Sequence, residues 1–399
     1  MFSVKKKLEH NLHRSLENNE YKRYRVLIQC KNLKENIIKK LSSSKNNKIN
    51  NQLIYSLDYS NLICAYLTSS TIYRLIEYPE VTYICFDEYL FLSGISVTSV
   101  NTVPKSLTSK LTGLGISIGL VDSGVYPHTD LFTKPPAITE FNDIINNYRY
   151  PYDDNGHGTA ICGIISGSGL SSKGLYRGIA PNSKIVCYKA FDKLGKGLVS
   201  DILYSIEELI KHNTIKILCL PFELLTHNYF INSLFETVFN IAITKNIIPI
   251  LPAGSNLASK NTIMGISTLK NCITIGGIDT SSEPCHYNYS SYGVITKNQK
   301  PDFCAACVNI TSLNSNTSFI PEKKGAKLYP SPLKANYKSF SGTSMSCAFV
   351  SGICALLLEN NPDLSFNDIF SILKLSCSTN ALPKDKVGDG IIDFSKLLT

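Results

Sequence analysis

The sequence predicts an α/β chain: a mostly parallel sheet covered by helices on both faces, preceded by a smaller split β-α-β-β-α-β unit of the ferredoxin-like kind. Three observations carry this. Short apolar runs at residues 116–121, 184–189, 215–220, 247–251 and 272–275 alternate with helical stretches such as 201–211 and 232–245, the pattern of strands buried on both faces between covering helices. Ahead of them, residues 24–86 read strand, helix, two strands, helix, strand. Between the two lies a stretch rich in Ser, Thr, Val and Gly without clear periodicity, residues 91–111.

Taken in order, residues 1–21 read as a charged leader holding at most a frayed amphipathic helix. Residues 22–90 make the first unit, with strand 24–29, helix 33–41, strands 52–57 and 62–67, helix 70–77 and strand 81–86. Residues 91–111 are a linker, and 112–399 form the larger domain. No internal repeat or low-complexity array interrupts this order.

Composition narrows the class of protein. At 399 residues with 43% hydrophobic content, the chain has material for a large core and for more than one domain. The net charge of +9 comes from scattered lysines, often beside Asn, with no basic stripe interleaved with aromatics, so no nucleic-acid partner is expected. The N-terminus, Met1-Phe2-Ser3-Val4-Lys5-Lys6-Lys7, lacks the apolar centre of a secretory signal. No apolar run is read as reaching the roughly 18 residues of a membrane span, so no membrane partner is expected. Thirteen cysteines, an odd number mostly within apolar strings, suit a reducing compartment and predict a cytoplasmic protein. The CxxC pair Cys304 and Cys307 lacks a second pair and reads as packing.

Three short strings carry chemistry. Ile116-Ser117-Ile118-Gly119-Leu120-Val121-Asp122 delivers an acid from a buried strand into Ser123-Gly124. Asn155-Gly156-His157-Gly158-Thr159 sets a histidine between glycines at the start of a small-residue helix. Phe340-Ser341-Gly342-Thr343-Ser344-Met345-Ser346 puts a small nucleophile at a tight turn before an apolar helix. A serine hydroxyl needs a base in hydrogen-bond reach and a carboxylate to orient that base. Singly, these residues read as a turn acid, a loop histidine and a helix cap. Together, and with Gly178-Ile179-Ala180-Pro181 and Lys300-Pro301-Asp302, they resemble the subtilisin-like serine proteases across roughly residues 112–378.

The resemblance implies a subtilisin-like three-layer α/β/α domain and a serine endopeptidase working through an acyl-enzyme. It assigns nucleophile to Ser344, base to His157 and orienting acid to Asp122. It also makes residues 22–90 a propeptide-like chaperone and inhibitor whose tail, residues 88–93, lies in the cleft of a self-processing zymogen, cut between Leu90 and Pro104. Partners would be protein or peptide substrates and the chain's own prodomain. The alternative is a catalytically weak regulatory or binding protein, as in the spore-germination branch of the family. A lipase-like esterase is disfavoured because Ser344 lies in Gly-Thr-Ser-Met rather than G-x-S-x-G.

Departures from the family's pattern matter at four places. Where it has Ala-Gly-Asn, this chain reads Pro252-Ala253-Gly254-Ser255-Asn256, so the oxyanion donor is expected to be Asn256, or alternatively Ser255, with the backbone N–H of Ser344. Gly195, Lys196 and Gly197 resemble one substrate-binding strand, and Leu220 and Pro221 replace the opposite wall. Residues 311–338 are longer than usual and are expected to make a loop near the cleft. The loop Gly169-Leu170-Ser171-Ser172-Lys173-Gly174, where many of the family bind calcium, offers no carboxylate, so no metal is expected there and no cofactor is expected, a weak calcium site elsewhere staying open. Asp153 and Asp154 read as turn formers, and His128 and His286 as surface residues.

Overall fold

A computed structural model describes residues 7–31, 34–42, 51–92, 111–133, 135–256, 260–294, 299–378 and 382–397. By contacts the chain divides into two compact units. One holds the residues up to Tyr89 together with Leu198–Glu207, and the other holds Leu90–Gly197 with the residues from Glu208 on. Most of the expected linker and processing region, residues 93–110, lies outside the described residues.

In the first unit, α1 (His10–Glu17), β1 (Tyr24–Cys30), α2 (Lys34–Ser42), β2 (Gln52–Leu57), β3 (Leu62–Leu67), α3 (Ser69–Leu75) and β4 (Val81–Phe86) follow one another. The strands form an antiparallel sheet in the order β2-β3-β1-β4, in keeping with the split β-α-β-β-α-β order read from the sequence. The frayed leader does not hold as an expectation. Leu8, Leu12 and Leu16 recur every fourth residue and are buried in the core with Val26, Ile28 and Ile84. An eight-residue helix is marginal alone, and burial of leucines worth about 1.5–3 kcal/mol each is what orders it.

The second unit is built on a larger sheet. Its elements begin with β5 (Tyr89–Leu92), β6 (Ser117–Asp122), α4 (Thr129–Phe132), β7 (Ile138–Asp143), α5 (His157–Ser166), β8 (Lys184–Lys189) and β9 (Lys196–Leu198), whereas α6 (Val199–Lys211) falls in the first unit as far as Glu207. They continue with β10 (Ile215–Cys219), β11 (Phe222–Glu223), α7 (Tyr229–Thr244), β12 (Ile248–Pro252), β13 (Ile273–Asp279), α8 (Thr343–Asn360) and α9 (Phe366–Ser376). The central strands β13-β12-β10-β6-β8-β7 are neighbours in that order and all parallel, and Phe303–Ala306 extends them beyond β13.

Helix α8 is long and apolar enough to cross a membrane, which the sequence reading did not anticipate. However, 89% of it is buried within the protein, where Met345, Val350, Ile353 and Leu357 join the main core. All thirteen cysteines are free thiols, and only Cys285 is exposed. Cys304 and Cys307 are fully buried packing residues, and burial pushes both thiols up.

Candidate active site

Parallel strands point their C-terminal ends the same way, so turns that follow them gather on one side of the sheet. Asp122 is the last residue of β6 and fully buried. His157 is the first residue of α5, and its Nδ1 lies 2.9 Å from Asp122 Oδ1 and 3.0 Å from Oδ2. A carboxylate only accepts, so Nδ1 carries the proton and Nε2 is the basic nitrogen. Ser123 N also donates to Asp122 Oδ1, at 2.6 Å.

Asp153, read as a turn former, organises the histidine turn from within. Its carboxylate accepts from Ser123 Oγ, Gly156 N, Thr159 N and Thr159 Oγ1 at 2.6–2.9 Å, while Ser123 Oγ accepts from Gly158 N at 3.0 Å. Gly158 must be glycine, since a Cβ there would run into the Gly124 carbonyl. Beneath this turn Lys189 is fully buried at the end of β8. Its Nζ donates to Ser123 O (2.6 Å), Phe191 O (3.0 Å) and Asp154 Oδ1 (2.6 Å). A lysine closing an apolar run was the available signal for this support.

Ser344 lies in the first turn of α8, buried, and its Oγ donates to Pro221 O at 2.9 Å. The helix is seated on the sheet partly through Cys347, whose thiol donates to Ile250 O at 3.4 Å.

The residues expected to bind substrate lie around β5. Leu92 N donates to Gly195 O at 3.1 Å, and on the other side Phe222 and Glu223 pair antiparallel with Leu92 and Phe91. The three-stranded order is β11-β5-β9, with Lys196 and Gly197 in β9. Leu220 and Pro221 are not among the residues paired with β5. Leu220 is fully buried with its N–H on Ile250 O, and Pro221 offers its carbonyl to Ser344. Phe222 and Glu223, two residues further on, are the ones that pair with β5.

The turn after β12 also differs from expectation. Asn256 Nδ2 donates to Glu223 Oε2 at 3.0 Å and to Thr262 O at 3.5 Å. Ser255 Oγ is buried with no hydrogen-bond partner among the described residues. Glu223 is the residue sequence reasoning missed; its signal was a single acid inside an otherwise apolar run.

His128 and His286 are both buried rather than on the surface. His128 Nδ1 accepts from Asp130 N at 3.1 Å, and desolvation lowers its pKa. Within residues 311–338, Ser315 lies against Gly156, Phe319 meets Tyr126 edge-on with centroids 5.7 Å apart, and Glu322 accepts from Arg149 N at 3.0 Å. A cavity of about 410 Å³ opens between residues 126–129 and 330–333. Among the described residues no group of three or more His, Cys, Asp or Glu is placed to hold a metal.

The subtilase family model matches residues 113–394. "Serine protease AprX" of Bacillus subtilis (strain 168) is 33% identical over 278 residues, covering 66% of this chain and 61% of its own. "Thermophilic serine proteinase" of Bacillus sp. (strain AK1) is 28% identical over 289 residues, covering 71% and 63%. The crystal structure of fervidolysin from Fervidobacterium pennivorans, described as a keratinolytic enzyme related to subtilisin, matches with a TM-score of 0.71 at 16% identity, covering 95% of this chain and 61% of that one. At that identity the likeness speaks to fold alone. The chain spans less than two thirds of the length of each of these relatives.

Proposed function

Because the chain belongs to the subtilase family, we propose that it is a serine endopeptidase acting on extended segments of protein or peptide substrates, and that Asp122, His157 and Ser344 are its catalytic triad. The observation that carries this is the hydrogen bond from His157 Nδ1 to both oxygens of the buried Asp122. Ser344 Oγ attacks the scissile carbonyl while His157 Nε2 takes its proton. His157 then gives that proton to the leaving amine, and water, activated by the same nitrogen, hydrolyses the acyl-enzyme. Asp122 keeps the proton on Nδ1 and stabilises the imidazolium.

The protein is made as a self-processing zymogen in this reading, with residues 22–90 as chaperone and inhibitor. The pairing of Phe91 and Leu92 beside Gly195 and Glu223 supports it, because an extended peptide added between two strand edges is how a substrate would sit. The thirteen free thiols support a reducing, cytoplasmic setting.

A fluorophosphonate probe followed by peptide mapping tests the assignment. Wild type labels on Ser344, and Ser344→Ala loses both label and peptide hydrolysis while keeping its fold. Label surviving in Ser344→Ala would overturn the triad, and absence of label in wild type would favour a regulatory binding protein.

A further inference from the structure

We propose that the oxyanion donor is the hydroxyl of Ser255, and that Glu223 is the positioning residue that selects it over Asn256. The inference rests on the protease reading above and concerns the loop that closes β12. Asn256, whose amide would be the obvious donor, is already engaged. Both hydrogens of its Nδ2 are directed to Glu223 Oε2 and Thr262 O, and its backbone N–H goes to Ser291 Oγ at 3.0 Å. Swinging the amide toward a substrate would break the bond to Thr262 O and the one to the Glu223 carboxylate, a residue only 6% exposed, and charge-assisted bonds in such surroundings are the strong ones.

The same carboxylate fixes Ser255. The backbone N–H of Ser255 donates to Glu223 Oε1 at 3.1 Å and Oε2 at 3.3 Å. The close fit requires Gly254, with φ +101°, because a Cβ there would meet Glu223 Oε2. With its backbone held, Ser255 keeps a buried hydroxyl that no described residue satisfies. Buried polar groups are ordinarily paired, and an exception calls for a function. A hydroxyl held in place and lacking an acceptor suits an oxyanion that exists only during reaction.

Glu223 also joins this loop to the substrate. Its backbone pairs with Phe91 in the added strand, while its side chain holds Ser255 and Asn256. One residue therefore sets both the register of the peptide and the position of the donor. Thr343 Oγ1, next to the nucleophile, is buried and likewise without a partner among the described residues, which makes it the competitor to exclude.

Steady-state hydrolysis of a peptide substrate by Ser255→Ala, Ser255→Thr, Asn256→Ala, Thr343→Val and Glu223→Gln tests the assignment, with thermal unfolding as the check on folding. Ser255→Ala should lower kcat by about 100-fold with little change in KM, and Ser255→Thr, which keeps a hydroxyl, should recover a large part of that. Asn256→Ala and Thr343→Val should each lose at least about tenfold less. Glu223→Gln should lower kcat, and should add little to Ser255→Ala, because both act through one donor. A merely structural Glu223 would give additive losses. The largest loss in Asn256→Ala or Thr343→Val, or additivity of Glu223→Gln with Ser255→Ala, overturns the proposal and leaves the protease reading standing. A wild type that neither hydrolyses peptide nor labels at Ser344 removes both.

Discussion

His286 is 9% exposed, its ring lies edge-on to Tyr292 with centroids 5.3 Å apart, and its Nε2 meets no partner among the described residues. Burial, reinforced by the charge of Lys386 and opposed by Asp385, pushes its pKa down from 6.5 to about 4. Between those values the unfolded chain binds a proton that the folded chain refuses, so stability rises with pH across that window. The contribution of the neutral imidazole is present above about 6.5 and is lost as the pH falls through about 4. Urea unfolding at pH 7, 5.5 and 4, in a Ser344→Ala background to prevent self-digestion, should show a shallower acid loss in His286→Gln than in its parent. Identical slopes would mean that His286 is not held neutral. His157 is placed differently: its Nδ1 lies within hydrogen-bond distance of the buried Asp122 carboxylate, the arrangement that the proposed base requires.

At the scale of elements, the turns after β6 and before α5 are held by groups buried beneath them. Lys189 brings its amine into the interior, where Asp154 and two carbonyls accept from it; because Asp154 is 24% exposed, removing the lysine falls at the low end of the about 3–5 kcal/mol that breaking a buried pair costs. Lys189→Met should therefore destabilise the protein by about 3 kcal/mol in urea titration, and lower peptide hydrolysis because Ser123 O anchors the turn that carries Asp122. Wild-type stability in that variant would show the lysine to be dispensable. The strands of the parallel sheet were legible because they are apolar on both faces, and Lys184–Lys189 coincides with its run in the sequence. Asp122, His157 and Ser344 were legible because each sits at an element boundary marked by glycine. Helix α1 was not, because its two leucines, Leu12 and Leu16, are spaced among charges and only tertiary burial orders them. Nor was Glu223, since a single acid in an apolar run does not reveal what it holds until the loop at Ser255 and Asn256 is folded against it. Burial of His128 and His286 left no periodic trace in sequence, because both lie outside regular repeats.

For the molecule as a whole, the consequence of an added strand between β9 and β11 is a register. Phe91 pairs with Glu223 and Leu92 with Phe222, and Leu90 is fully buried. In an antiparallel ladder each step forward on one strand is a step back on the other. A substrate residue following the one matched by Leu92 therefore comes opposite Pro221, whose carbonyl accepts from Ser344 Oγ at 2.9 Å. On the protease reading, the peptide bond after that residue is the one expected to meet the proposed nucleophile. In the chain's own sequence it joins Ser93 to Gly94. Wild-type protein is accordingly expected to yield a fragment beginning at Gly94, seen by N-terminal sequencing and intact mass, and Ser344→Ala to remain uncut. Gly94→Pro should block that cut, since proline after the scissile bond removes the N–H and restricts the backbone of the residue before it. A wild-type fragment that begins elsewhere between residues 95 and 104 would break the register while leaving self-cleavage in place. Equal cleavage in Ser344→Ala would assign the cut to another protease and remove the zymogen reading.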